Sequence, residues 1–219
     1  MKIKKLNEKT YNKINELARD DLSYPLLISP ILEKENNSNK ILYIGQETNT
    51  WYKNKSHINL TFLENKYCSF LKDNATHRNF WQFINEILNY EPLISNIIWA
   101  NCFICEKKEK RGTPIVTNEL IQISIDYLVE IYNELKPNKI LIVCGSNYPY
   151  YIVIESFLRK IGVNNKELLN TCLSKDNLYH SFKTADNTTT VFWTYHPTFL
   201  YINKKACDIK IQIKEEFNL

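Results

Sequence analysis

Four short apolar runs limit what this chain can fold into: Ile41 to Ile44, Ile97 to Ala100, Ile140 to Cys144 and Val191 to Thr194. Each is apolar without alternation, too short for a helix, and closed by polar residues or turn formers, as in a strand buried on both faces. Helical patterns lie between them. Phe80, Phe83, Ile84, Ile87 and Leu88 recur at i, i+3, i+4, i+7 and i+8, and Leu120, Ile123, Tyr127, Ile131 and Leu135 keep a similar stripe until Lys136 and Pro137 stop it. A further helix is expected from Pro149 to Lys160, ending at Gly162, and a last one carries Ile209, Ile213 and Phe217. The early stretch EKTYNKINELAR reads as another helix. Continuously apolar strands alternating with helices predict a three-layer α/β/α sandwich around a mostly parallel, four-stranded sheet.

A chain of 219 residues fits one domain, 1–219, with 1–39 as a helical extension packed on it. Hydrophobic residues at 44% and charged ones at 24% exclude a disordered or fibrous class. The apolar runs fall well short of the roughly 20 residues that span a bilayer, so no membrane partner is expected. The start, MKIKKLNEKTYNKINEL, lacks an apolar segment with a cleavage site, so a cytoplasmic protein is expected, as a monomer. Six cysteines, Cys68, Cys102, Cys105, Cys144, Cys172 and Cys207, are scattered as suits reduced thiols. Only Cys102 and Cys105 form a CxxC pair, which without a second pair reads as burial rather than metal ligation. No cofactor or metal is expected. The stretches Asp20 to Asn39, Lys53 to Thr76 and Asn164 to Asn187 read as long connections.

Ligands of open parallel sheets sit beyond the carboxyl ends of the strands. The residues there are Gln46 and Glu47 after the first run, Asn101 after the second, Gly145, Ser146 and Asn147 after the third, and His196 after the fourth. Taken singly, a Glu after a strand is a helix cap or a solvated turn residue, His-Pro is a turn, and Asn101 is an ordinary turn residue. Their joint placement at successive strand ends points to one polar crevice. His57, His77 and His180 have no such setting and read as surface residues. Net charge is only +4, but Glu106 to Gly112 and Asn203 to Lys205 put basic residues in segments that read as loops, where they either meet phosphates or form a solvated face.

In these strand-end segments the sequence resembles the uracil-DNA glycosylase superfamily. IGQETN, from Ile44 to Asn49, is similar to its first motif, and HPTFL, His196 to Leu200, to its second. IIWAN resembles the strand ending in the base-reading Asn, ILIVCGSN the strand ending in Gly-Ser, and KRGTP the stretch that follows the base-reading Asn. The segments come in the family's order from Lys40 to Lys205, most of the chain. The resemblance implies a DNA glycosylase that flips a deaminated or modified base out of DNA and hydrolyses its N-glycosidic bond, leaving an abasic site for repair. Glu47 and His196 would be catalytic, and Gln46, Asn49, Asn101 and either Phe80 or Trp81 would hold the base. Lys110, Arg111, Gly145, Ser146, Thr198, Lys204 and Lys205 would hold DNA, with Leu200 as the wedge inserted into the duplex.

The departures bear on substrate rather than reaction. Glu47 stands where the best-known branch has Asp, Thr48 replaces Pro, and Asn49 replaces the Tyr that excludes the thymine methyl. The cysteines do not match the set of the family's iron-sulfur branch. Room at the pyrimidine 5-position admits a variant that acts on hypermodified pyrimidines of viral DNA in defence. Glycosidic cleavage builds positive charge on the sugar and negative charge on the base. A carboxylate ~4 Å from the sugar cation is worth about 4 kcal/mol at an effective dielectric of 20. Two other classes stay open: an inactive member of the fold serving as a nucleic-acid-binding or interaction module, and a hydrolase of free nucleosides. Asn101 by itself does not fix the base, since its amide can turn either way.

Overall fold

Strand β1, Ile41–Gly45, is buried along its whole length, and so is β2, Ile97–Asn101. Because alternate side chains of a strand point to opposite faces, full burial means that both faces of the sheet are covered here. The computed structural model describes residues 2–34, 37, 39–48, 58–73, 78–108, 112–164, 173–174 and 176–219. Two further parallel strands, β3 at Lys139–Ile142 and β5 at Thr190–Thr194, and an antiparallel β4 at Tyr179–Lys183 complete a five-stranded mixed sheet of order β2-β1-β3-β5-β4. The sheet therefore has one strand more than the four apolar runs predicted. In β4, YHSFK, only Phe182 is buried, so this edge strand carries no apolar run for a sequence pattern to reveal.

The helices are α1 (Lys2–Glu16), α2 (Leu60–Lys72), α3 (Asn79–Ile87), α4 (Leu93–Asn96), α5 (Asn118–Leu135), α6 (Tyr150–Lys160), α7 (Pro197–Ile202) and α8 (Ala206–Phe217). In α5 the whole predicted stripe is buried, the side chain of Thr117 caps its start by accepting from Leu120 N, and Lys136 ends it in the left-handed region at φ 47°. Helix α1 packs against α5, which also meets α6, while α3 meets α7 and α8. One apolar cluster extends from Ile3 to Phe217. Among the described residues no helix is long and apolar enough to cross a membrane.

The parallel register sets the floor of the site. Gly45 and Asn101 are paired at the carboxyl ends of β1 and β2, and Ile44 pairs with Ile142 on the other side. Past these ends the chain stays hydrogen-bonded: Cys102 N donates to Gly45 O, Phe103 N to Gln46 O and Val143 N to Ile44 O. The residues beyond the strands are thus held on a fixed frame.

Candidate functional site

Gly45 brings two side chains together. A Cβ at this position would lie 2.8 Å from both Asn101 Oδ1 and Phe80 Cε2, so only glycine leaves room for the amide and the ring to close over the strand end. Asn101 is 5% exposed. Its Oδ1 accepts from Trp99 Nε1 at 3.1 Å, and its Nδ2 finds no partner among the described residues. Trp99 and Asn101 are two apart on β2 and share a face of the strand.

Phe80 is half-buried and stacks on Tyr43, with ring centroids 4.5 Å apart. Its ring is also nearly parallel to the His196 imidazole, at 6.0 Å and 21°. Phe80 therefore joins the Asn101 end of the sheet to the His196 end. Trp81 does not share this place. It is buried among Tyr43, Phe70 and Trp99, so of the two aromatic residues expected to flank a base, only Phe80 is within reach.

His196 caps α7, its Nδ1 accepting from Thr198 N at 3.2 Å. An Nδ1 that accepts leaves the proton on Nε2, which fixes the neutral tautomer as a donor. Burial pushes the imidazole pKa down to about 4, so the ring stays neutral in ordinary buffers.

Glu47 lies two residues beyond Gly45 and is half-buried. Burial raises its carboxyl above the usual range, while the Tyr150 hydroxyl works in the opposite direction. Tyr150 OH donates to Glu47 Oε2 at 2.7 Å and lies 2.6 Å from Thr113 Oγ1. With its only proton given to Glu47, the phenol accepts from Thr113, so a Thr113–Tyr150–Glu47 chain fixes one carboxylate oxygen. Burial and the neighbouring Glu47 both raise the Tyr150 pKa. Gln46 Nε2 donates to Cys144 O at 3.2 Å, tying the turn after β1 to the turn after β3.

Gly145 adopts φ 72°, which L side chains rarely accept, and is bonded on both sides: its N–H to Thr194 O and its carbonyl to Trp193 Nε1. Ser146 Oγ accepts from Leu173 N at 3.0 Å. Leu200, expected to wedge into a duplex, is 0% exposed and belongs to the core. Helix α7 turns that side chain inward, and its exposed apolar residue is Ile202, at 74%. Thr198, Lys204 and Lys205 are exposed. Asn49, Lys110 and Arg111, like His57, His77 and Cys172, lie outside the described residues. Cys102 and Cys105 are buried, and burial raises both thiols. Among the described residues no three His, Cys, Asp or Glu side chains gather as a metal site.

Two residues of this arrangement escaped the sequence reading. Trp99 was signalled only by strand alternation, which puts positions 99 and 101 on one face. Tyr150 opens α6 in the run YPYY, where nothing in the sequence marks the phenol that reaches Glu47. No protein-family model matches the chain, and no curated protein matches it.

Proposed function

We propose that this chain is a monofunctional DNA glycosylase with a uracil-DNA glycosylase-like three-layer fold, removing a deaminated or modified base with water as nucleophile. The observation that carries this reading is the Phe80 ring, which touches the Asn101 side of the strand ends and lies parallel to His196 on the other. A planar base stacked near Phe80 would then have an amide at its edge and a neutral imidazole donor close by. Asn101 reads the base. His196 donates from Nε2 to a base oxygen as negative charge grows there, a role that needs the neutral ring its burial secures. Glu47, with Oε2 held by Tyr150, keeps Oε1 to orient water and to face the sugar cation. Lys204 and Lys205 meet phosphates, whereas Gly145, with its N–H and carbonyl both bonded within the protein, shapes the turn that carries Ser146. The base is reached by flipping, and Ile202, not Leu200, is the apolar side chain that α7 offers to the gap.

The test is the full chain on oligonucleotides, single-stranded and duplex, carrying uracil, hypoxanthine, thymine mismatches or modified pyrimidines, with alkali-labile abasic sites as the readout. Glu47→Gln and His196→Ala should each lower excision by about 100-fold or more with the fold retained. Salt-dependent DNA binding without any abasic product would identify a binding module instead. Ile202→Ala should weaken excision from duplex by roughly tenfold and spare single strands. Equal activity on free nucleosides, untouched by Ile202→Ala, would identify a nucleoside hydrolase.

A further inference from the structure

The amide of Asn101 is not free to turn. The Trp99 indole N–H is a donor only, and it lies 3.1 Å from Asn101 Oδ1 in a buried setting. Turning the amide over would set Nδ2 against that N–H, two donors facing each other without water, and an unsatisfied buried donor is costly. The orientation therefore follows from the chemistry of the indole. It leaves the Asn101 amino group, which has no partner among the described residues, and the second lone pair of Oδ1 for whatever is bound.

We propose that Trp99 is a specificity-determining residue: by holding the Asn101 oxygen, it makes the site select bases with an exocyclic oxygen beside a ring N–H over bases with an exocyclic amino group. This rests on the reading of Asn101 as the base contact of a glycosylase. The Asn101 amino group donates to the exocyclic oxygen, and Oδ1, already accepting from Trp99, accepts the adjacent ring N–H. Cytosine and adenine present an amino group beside an unprotonated ring nitrogen, so donor meets donor and acceptor meets acceptor. Deamination converts that edge into the complementary one in both cases, giving uracil and hypoxanthine. The fixed amide thus accepts the oxo edge that deamination creates and rejects the amino edge of the parent base; thymine and guanine carry the same oxo edge, so the remaining contacts set them apart and choose between one ring and two. Selection of this kind works as much by rejecting the wrong edge as by rewarding the right one.

The experiment uses the full chain and single-stranded oligonucleotides, so that no duplex has to open, each with one uracil, cytosine, hypoxanthine or adenine. Excision is read as abasic sites. Binding is read by fluorescence anisotropy on the same oligonucleotides with a 2′-fluorinated nucleoside at the test position, which resists cleavage. At least one oxo base should be preferred over its amino parent by about 100-fold, the penalty of a buried mismatched polar pair. Trp99→Phe, checked for a cooperative thermal transition, should shrink that ratio to about tenfold or less. Asn101→Asp, which keeps an acceptor for Trp99 but replaces the amino group with a second acceptor, should move the preference toward the amino parent. If Trp99→Phe does not fold, Trp99→Leu, which also removes the indole N–H, is read in its place against the same ratio. Indifference of the wild-type chain to the edge, an unchanged ratio in folded Trp99→Phe, or an unchanged preference in Asn101→Asp would overturn the proposal. Discrimination in binding with no abasic product would keep the role of Trp99 and sink the glycosylase reading, whereas absence of both binding and excision for every base would sink the two together.

Discussion

Two buried asparagines of this molecule are treated in opposite ways. Asn7 on α1 spends all it has: Nδ2 donates to Ile28 O at 2.8 Å and to Glu64 Oε1 at 2.7 Å, and Oδ1 accepts from Tyr127 OH at 3.0 Å. Tyr127 OH in turn accepts from Ile28 N. Asn101 is held on one side only, by Trp99, and keeps its amino group unspent. An unpaired amide is not by itself a mark of function, since Asn85, mid-helix in α3, also has an unpaired Nδ2 among the described residues. What sets Asn101 apart is the surrounding order: an oxygen pinned by a donor-only group, and a glycine whose missing Cβ leaves room for the amide and for the Phe80 ring. Closed networks hold elements together, whereas an oriented open valence asks for a partner that the described residues do not supply.

The contrast predicts a double dissociation. Asn101→Ala should lower excision by about 100-fold, and because it removes one unpaired buried donor while taking the Oδ1 acceptor from the Trp99 indole N–H, it should change stability by no more than about 1 kcal/mol in denaturant unfolding. Asn7→Ala should leave Glu64 and Tyr127 without their partner and cost roughly 2 to 3 kcal/mol in denaturant unfolding. Its activity per folded molecule should stay near the parent's. Loss of activity from Asn7→Ala in the folded protein, or an equal loss of stability from both variants, would break the comparison.

A smaller effect separates the two titrating members of the site. His196 has its pKa pushed down to about 4 from an unfolded value near 6.5. Its neutral burial therefore supports the fold fully above that value, and the support is lost as pH falls through about 4. His196→Asn keeps a capping side chain on α7 but cannot titrate, so its stability should fall less between pH 6.5 and pH 4 in paired thermal scans. Glu47 moves in the other direction, since burial raises its carboxyl; its contribution is present in acid and is lost as pH rises through the raised value.

The smallest effect expected is on the pH profile. In the proposed mechanism excision needs Glu47 ionised, so the acid limb should report Glu47 rather than His196. The Tyr150 hydroxyl lowers the Glu47 pKa, so Tyr150→Phe should move the acid limb of kcat to higher pH, with a modest loss on the plateau. An unmoved limb would detach Tyr150 from Glu47.

The sheet and the order of its strand ends were legible because buried parallel strands are written as unbroken apolar runs. The stripe of α5 was legible from its period, down to the stop at Lys136. β4 was not, because an edge strand with one buried residue in five has no pattern of its own. Among the candidate residues, the apolar runs were enough to place Glu47, Asn101 and His196 at strand ends, but not to give side-chain orientation. Leu200 shows why. Its offset from His196 matched an outward wedge, yet a helical turn can aim a side chain either way, and only packing decides that it points into the core. Trp99 and Tyr150 act on partners two and 103 residues away, and the second distance is one that no local pattern records.

Gly45 carries a last consequence. As the final residue of β1 it is limited by space, unlike Gly145, which is limited by its positive φ. A methyl group at 45 could be accommodated only if the Phe80 ring and the Asn101 amide both withdrew. Positions 45, 80 and 101 are thus bound into a single choice, and in any descendant of this chain they should change together or not at all. A relative that keeps the glycine, the amide and the ring has kept the same close-fitted strand end, however far the rest of its sequence has drifted.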